Sequence, residues 1–268
     1  MKANLHTHTT YCDGNNTPEE VVLSAIDKGF SAIGFSSHGY TPFDLRYCMK
    51  DVEGYIAEVT SLKEKYRDKI EVYLGIEEDA FEPSDRSRFD YIIGSCHYFL
   101  LDGKYYPIDS DYDYFKAGLK AFGGDVIKLS ENYYENFCKY IKRRKPDIIG
   151  HFDLITKFDE VDEALLLENK DYLALSEKYV KEALKSGSLF ELNTGAISRG
   201  YRKAPYPYEN LLHIIEKEGG GIILSSDSHD ASTLDFYFEE SKKLIKDIGF
   251  SYIYTLSGGE FIKEGLIL

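Results

Sequence analysis

Tryptophan is absent from this chain and methionine occurs twice. No apolar run reaches the roughly 18 residues that a membrane-spanning helix needs, and the first residues carry no signal-peptide pattern, so the expected compartment is the cytoplasm. The missing tryptophan itself excludes no function. Cysteine is sparse: Cys12, Cys48, Cys96 and Cys138 are widely spaced and form no C-x-x-C pair, which reads as four reduced thiols. Basic residues are outnumbered, 32 against 46 acidic, for a net charge of −14. That balance argues against nucleic acid as a partner, which would want a basic stripe. It also poses a problem for any anionic substrate, because something local must then reverse the field; bound metal ions would do so. No Ser/Gly/Pro-rich linker, fixed-period repeat or low-complexity tract interrupts the 268 residues, and a single domain over 1–268 is expected.

What is present is an alternation of short apolar runs with longer amphipathic stretches. Strands are expected at 3–6, 31–36, 71–77, 90–96, 147–151, 189–193 and 221–227, with an eighth at 251–256 before a short final helix. Helices are expected near 18–28, 50–67, 129–144, 165–186, 208–218 and 235–247. Thr17 caps the first of these, with Pro18 at its first position, Glu20 three residues past the cap, and Gly29 ending it. Continuous apolar strands alternating with helices predict an α/β fold with a parallel sheet covered on both faces. The segment 102–115, DGKYYPIDSDYDYF, reads as a loop inserted near a site.

The histidines carry the functional signal. His6, His8, His38, His97, His151 and His229 each fall just after one of those strands, beside Asp13, Glu77 and Asp227 in the same kind of place. In an α/β barrel the active site is built from the C-terminal ends of several strands, so residues scattered in sequence converge in space. His6 and His8 stand two apart on an extended chain and share a face; Asp227 and His229 have the same spacing, as do Glu191 and Asn193. Imidazole mixed with carboxylate suits Zn, Mn or Fe. Six imidazoles and three carboxylates exceed one tetrahedral ion and predict two to three divalent ions with shared ligands. A lone histidine is more often an ordinary surface or core residue, and His213, inside an expected helix, is assigned no role. Two other conspicuous runs are also ordinary. Gly219–Gly221 precede a strand and read as a helix end with a turn, not a phosphate loop. The basic run 142–146 reads as a solvated helix end.

The motifs HTHTTYCDG, SSHG, GIEED, GSCHYF, GHFD, ELNTG and SDSH together resemble the PHP (polymerase and histidinol phosphatase) superfamily, and its histidinol-phosphate phosphatase branch more closely. The resemblance implies a distorted (β/α)7 barrel and a trinuclear metal site. By that resemblance His6, His8, Glu77 and Asp227 hold the first ion. Glu77 bridges to a second ion held by His97 and His151, and Asp13, His38 and His229 hold the third. Two departures stand out. Asp13 occupies a place where some members carry histidine, and Ser37 precedes His38 where an aspartate is often found.

The activity so implied is hydrolysis of L-histidinol phosphate, a small-molecule phosphate ester, by a metal-bridging hydroxide. Glu77, Asp227 and Asp13 would form the catalytic metal frame. Arg199, then Arg202, then Lys157 are the candidate phosphate cations, since guanidinium matches phosphate bidentately. Glu78, Asp79, Tyr98, Phe99 and the 102–115 segment are candidates for contacting the rest of the substrate. Two other readings remain open: a phosphoesterase acting on a different small ester or a nucleotide, and a metal-binding module without turnover.

Overall fold

The computed structural model describes residues 1–161 and 165–266. The chain opens with β1 (Ala3–Asn4), α1 (Pro18–Asp27), β2 (Ala32–Phe35), α2 (Val52–Lys65), β3 (Glu71–Asp79) and β4 (Tyr91–Ser95). A hairpin of β5 (Tyr98–Leu101) and β6 (Lys104–Pro107) follows, then α3 (Tyr112–Ala121), α4 (Val126–Arg144) and β7 (Ile148–Ile149). Next come α5 (Lys170–Leu184), β8 (Leu189–Asn193), the single turn α6 (Gly195–Ser198), α7 (Glu209–Lys217), β9 (Ile222–Ser225) and α8 (Phe238–Ile248). A second hairpin, β10 (Tyr252–Ser257) and β11 (Glu260–Gly265), ends the described chain.

Strands β1, β2, β3, β4, β7, β8 and β9 pair in that order, all parallel. The row closes on itself past the end of β9, where His8 N–H donates to the Ser228 carbonyl at 2.8 Å and Ser228 N–H to the His6 carbonyl at 3.1 Å. The result is the distorted seven-stranded barrel that the motifs imply. β10 hangs on β9 through one residue pair, Tyr254 with Ile223, and β11 runs antiparallel on its outer side.

Alternation along the strands divides the side chains. In β3, Val72, Leu74 and Ile76 point outward into the large apolar layer beneath the helices, while Tyr73 joins a smaller cluster with Leu5, Tyr91, Ile93, Ile148 and Ile223. That cluster fills one half of the barrel interior. Gly34 and Gly75 make room for it, because a Cβ at either position would collide with the Tyr91 ring. The Tyr91 hydroxyl is anchored by donation to the carbonyls of Leu5 at 2.5 Å and Phe35 at 3.2 Å.

The first helix forms as its sequence predicts, with a reciprocal Thr17–Glu20 capping box. Three expectations need correction. The described residues after 256 form no helix: Gly258 and Gly259, at φ 60° and 83°, turn the chain into the β10–β11 hairpin. The 102–115 segment is not a loop. Asp102 and Gly103, at φ 50° and 76°, supply a hairpin turn between β5 and β6, and Asp111 then caps α3 by accepting from Tyr114 N–H. Finally, the helix expected from 165 begins at Lys170, because Asn169 caps it.

Candidate metal centre

The strand ends converge as their positions predict. Glu77, at the inward-facing end of β3, lies at the centre. Its Oε2 is 2.8 Å from His38 Nδ1, 3.3 Å from His6 Nε2 and 3.5 Å from His8 Nε2. Its Oε1 is 3.0 Å from His151 Nε2 and 3.3 Å from His97 Nε2. Asp227 Oδ1 lies 3.1 Å from His8 Nε2, 3.6 Å from His229 Nδ1 and 3.7 Å from His6 Nε2. Asp13 Oδ1 lies 3.4 Å from His229 Nε2 and 3.8 Å from both His8 Nδ1 and His38 Nε2. All nine residues named as metal ligands thus meet in one cluster.

Four subsets bring their donor atoms close enough to share an ion: His6, His8 and Asp227; His6, Glu77 and His151; His38, Glu77 and His97; and His8, Asp13, His38 and His229. Glu77 belongs to two of these subsets, so its carboxylate is placed where it could serve two ions. The subsets share His6, His8 and His38 more freely than the three separate sets expected from the resemblance.

Whether a cation fits can be judged from the atoms themselves. His6 Nε2, His8 Nε2 and Glu77 Oε2 are buried, and although they lie 2.8–3.7 Å from opposing groups none makes an aligned hydrogen bond. Buried polar atoms left unpaired are costly, so three of them converging at one point need an occupant. A mixed imidazole and carboxylate set of this kind fits divalent transition ions.

The charges respond to one another in the same sense. Burial pushes the Glu77 and Asp227 carboxyls up. The imidazoles of His6 and His38 around Glu77, and Arg199 with His6 around Asp227, outweigh that and hold both carboxyls well below the usual carboxylate range. Burial, together with His229 and His38, drives His8 down to about 3. Burial also opposes protonation of His6, but Glu191, Glu77 and Asp227 carry it well above the ordinary imidazole value.

Support for the histidines comes from carboxylates to which the sequence reading gave no metal role. Glu191 is buried, its Oε1 2.5 Å from His6 Nδ1, and its Oε2 accepts from His151 N–H at 2.9 Å. It also accepts from Ser225 Oγ and Asn193 Nδ2. A carboxylate on the far nitrogen of a ligating histidine fixes its tautomer and orientation. Asp79 does the same for His97, at 3.2 Å from Nδ1. The available signal was spacing: Glu191 and Asn193 share the inward parity of β8, and Asp79 that of Glu77. Ser37, by contrast, bonds to Thr9 Oγ1 rather than to His38, which leans on Glu77 and, edge to face, on Tyr47.

Beside the cluster opens a cavity of about 320 Å³. Arg199 and Lys157 line it, as do Tyr47, Tyr98 and Asp109. Arg199 is largely committed: Nη2 donates to Asp227 Oδ2 at 3.0 Å and Nη1 to the Asp227 carbonyl at 2.9 Å. Lys157 donates to the Asp109 carbonyl at 2.6 Å. Arg202 does not belong to the site. It is 3% exposed, does not line the cavity, donates to Thr156 Oγ1 and the Pro205 carbonyl, and lies between the rings of Tyr206 and Tyr208. Glu78 is likewise removed. It faces outward from β3, where Arg144 donates to it at 2.6 and 2.9 Å and Tyr140 at 2.6 Å. Arg144 within the basic run is therefore a buried carboxylate's partner, while Lys142, Arg143 and Lys145 are exposed as expected of a solvated helix end. Phe99 packs in the helical layer, whereas Tyr98 lines the cavity. Of the 102–115 segment, Pro107, Asp109 and Ser110 reach the cavity wall. His213 lies exposed on α7, away from the cluster.

A parallel α/β barrel whose strand ends gather nine imidazole and carboxylate side chains beside a cavity has the architecture of a metal-dependent hydrolase. The PHP domain family matches residues 4–195, and the chain belongs to it. A probable histidinol-phosphatase of Schizosaccharomyces pombe is 27% identical over 97% of this chain and 90% of its own length. The histidinol-phosphatase of Bacillus subtilis is 25% identical over 89% of this chain and 97% of its own length. The crystal structure of a histidinol phosphate phosphatase from Lactococcus lactis subsp. lactis, complexed with zinc, L-histidinol and phosphate, superimposes with a TM-score of 0.66. It is 21% identical and covers 98% of this chain and 99% of that one.

Proposed function

We propose that this chain is a histidinol-phosphatase, a metal-dependent phosphomonoesterase that releases phosphate from L-histidinol phosphate in histidine biosynthesis. The observation that carries the reading is the cluster centred on the buried, converging atoms of His6, His8 and Glu77, whose outer members His38, His97, His151, Asp227 and His229 line a cavity sized for a small ester. Full-length relatives named histidinol-phosphatase support the choice of substrate.

His6, His8, Asp13, His38, Glu77, His97, His151, Asp227 and His229 would hold two to three divalent ions, Zn, Mn or Fe. Bound there, such ions would acidify water for attack on phosphorus and would neutralise charge on the phosphoryl oxygens. The protein's own contribution is orientation. Glu191 and Asp79 fix His6 and His97, and Arg199 clamps Asp227 so that its Oδ1 faces the histidines. Lys157 has donors left after its bond to the Asp109 carbonyl and is the better placed phosphate cation. Arg199 adds positive charge beside Asp227 and can reach an anion only by loosening that clamp.

Metal content joined to activity tests this. Plasma mass spectrometry of the purified protein is expected to count two to three ions per chain. Phosphate release should favour L-histidinol phosphate over a panel of nucleotides and sugar phosphates. Preference for another ester would keep the site and move the substrate. No bound metal, with no activity after adding Zn, Mn or Fe, would overturn the reading.

A further inference from the structure

The metal ligands occupy one side of the cavity; the other side has its own electrostatics. Two carboxylates outside the ligand set line it, Asp44 and Asp109. Asp44 is fully engaged: it accepts from Arg46 Nε at 2.8 Å, Arg46 Nη2 at 2.5 Å, Arg46 N–H at 3.2 Å and Tyr98 Oη at 3.0 Å. The Asp109 carboxylate has no such partners among the described residues. Its nearest cation is Lys157, which pairs with it loosely at 3.6 Å while giving its short hydrogen bond to the Asp109 main-chain carbonyl, and the imidazoles of His97, His151 and His38 add positive charge from the ligand side.

The position of Asp109 is fixed. Ile108, fully buried, donates its N–H to the His97 carbonyl at 2.9 Å, so the residue after it is tied to a strand end that carries a metal-ligand candidate. The side chain is 31% exposed on the cavity wall. A carboxylate held in a partly enclosed cavity with its acceptors unspent is a site for a cation with hydrogens to donate.

We infer that Asp109 receives the ammonium group of an amine-bearing phosphate ester and so sets the substrate preference of this site. The inference rests on the phosphatase reading and adds a specificity residue to it. When the amine sits on the carbon next to the one bearing the phosphate, the two charges are a few bonds apart. Lys157 and Asp109 are adjacent in the same way, cation to the phosphate and carboxylate to the amine. Within a chain whose acid residues dominate, this pairing lets the cavity read both ends of a zwitterionic ester.

The test compares wild type with Asp109→Asn and Asp109→Glu. The esters are L-histidinol phosphate and its deaminated analogue 3-(imidazol-4-yl)propyl phosphate, then 2-aminoethyl phosphate and ethyl phosphate. A hydrogen bond to a charged group predicts a preference of roughly 10- to 100-fold in kcat/KM for the amine-bearing member of each pair. Asp109→Asn should remove that preference by raising KM for the amine-bearing member of each pair well above any change in its amine-free partner, with the metal count kept. Asp109→Glu should keep part of it. If wild type shows no amine preference in either pair, or Asp109→Asn retains it, the assignment is overturned. Equal loss on amine-bearing and amine-free esters also overturns it, since Asp109 would then serve the chemical step or the fold. Failure of the substrate reading looks different: histidinol phosphate is then poorly hydrolysed, while 2-aminoethyl phosphate still outruns ethyl phosphate and Asp109→Asn abolishes the difference.

Discussion

The barrel interior has two halves built from the same strands and the same inward-facing positions. In one half Tyr73, Tyr91, Ile93, Ile148 and Ile223 pack as an apolar plug. In the other, two or four residues further along those strands, stand Glu77, Ser95, His97, Ser225 and Asp227. The Tyr91 hydroxyl, the plug's polar handle, is doubly bonded to backbone carbonyls, whereas the metal half leaves His6, His8 and Glu77 with unpartnered buried atoms. The difference shows a division of labour along one backbone. Dense packing fixes the strands, and the rigid strand ends can then hold a set of groups that, without a cation, would oppose folding.

The sharpest way to break the comparison is at Glu77, which both histidine groups face. Glu77→Gln should cost at least about 100-fold in kcat/KM and release metal, since even residues one step behind a ligand cost 10- to 100-fold. Its circular dichroism spectrum should match wild type, because the plug is untouched. Glu191→Gln acts one step behind His6 and should cost about 10- to 100-fold in metal affinity, read by competition with a chelator of known affinity. A variant indistinguishable from wild type would show that His6 is oriented without Glu191.

Changes in the plug should give the opposite pattern. Gly75→Ala drives a Cβ into the Tyr91 ring, which its two hydrogen bonds and its packing hold in place. Overpacking of this kind costs about 1–3 kcal/mol, read as a lower midpoint in urea. Gly75 lies two residues before Glu77 on the same face of β3, so this variant also asks how far strain travels along a strand. Unchanged metal content would place the boundary between the halves at Gly75. Tyr91→Phe keeps the ring and removes the hydroxyl. The carbonyls of Leu5 and Phe35 lose a buried donor, for a loss of about 1 kcal/mol with metal content unaffected.

Legibility in the sequence follows the same division. The convergence of the candidate ligands could be read because most of them stand at or just past the end of an apolar run, a position that has one structural meaning in a parallel barrel. The capping box at Thr17 and Glu20 was legible for a similar reason: its partners are local. What escaped depended on partners distant in sequence. Glu78 adjoins Glu77 and looks equally available, but pleat parity turns it outward to Arg144, 66 residues away. Arg202 looks like Arg199 in ELNTGAISRGYRK, yet it is folded back between two tyrosines. The Asp-Gly turn at Asp102 and Gly103 was itself a hairpin signal, outweighed by the polar and aromatic character of the segment. The β10–β11 hairpin carries its own Gly-Gly turn at Gly258 and Gly259, a hairpin signal of the same kind.

The smallest effect should come from the histidine outside both halves. His213 is exposed on α7, and its near partner is Glu209, 3.7 Å away one helical turn back. Exposed i,i+4 pairs contribute about 0.3–0.5 kcal/mol at most. His213→Ala should therefore shift the unfolding midpoint by less than its experimental error and leave metal content and turnover alone. The variant is informative because it holds histidine loss constant while removing strand-end placement. Should it lower metal content as His6→Ala is expected to, histidine number rather than position at the barrel mouth would govern binding, and the contrast between the two halves would lose its basis.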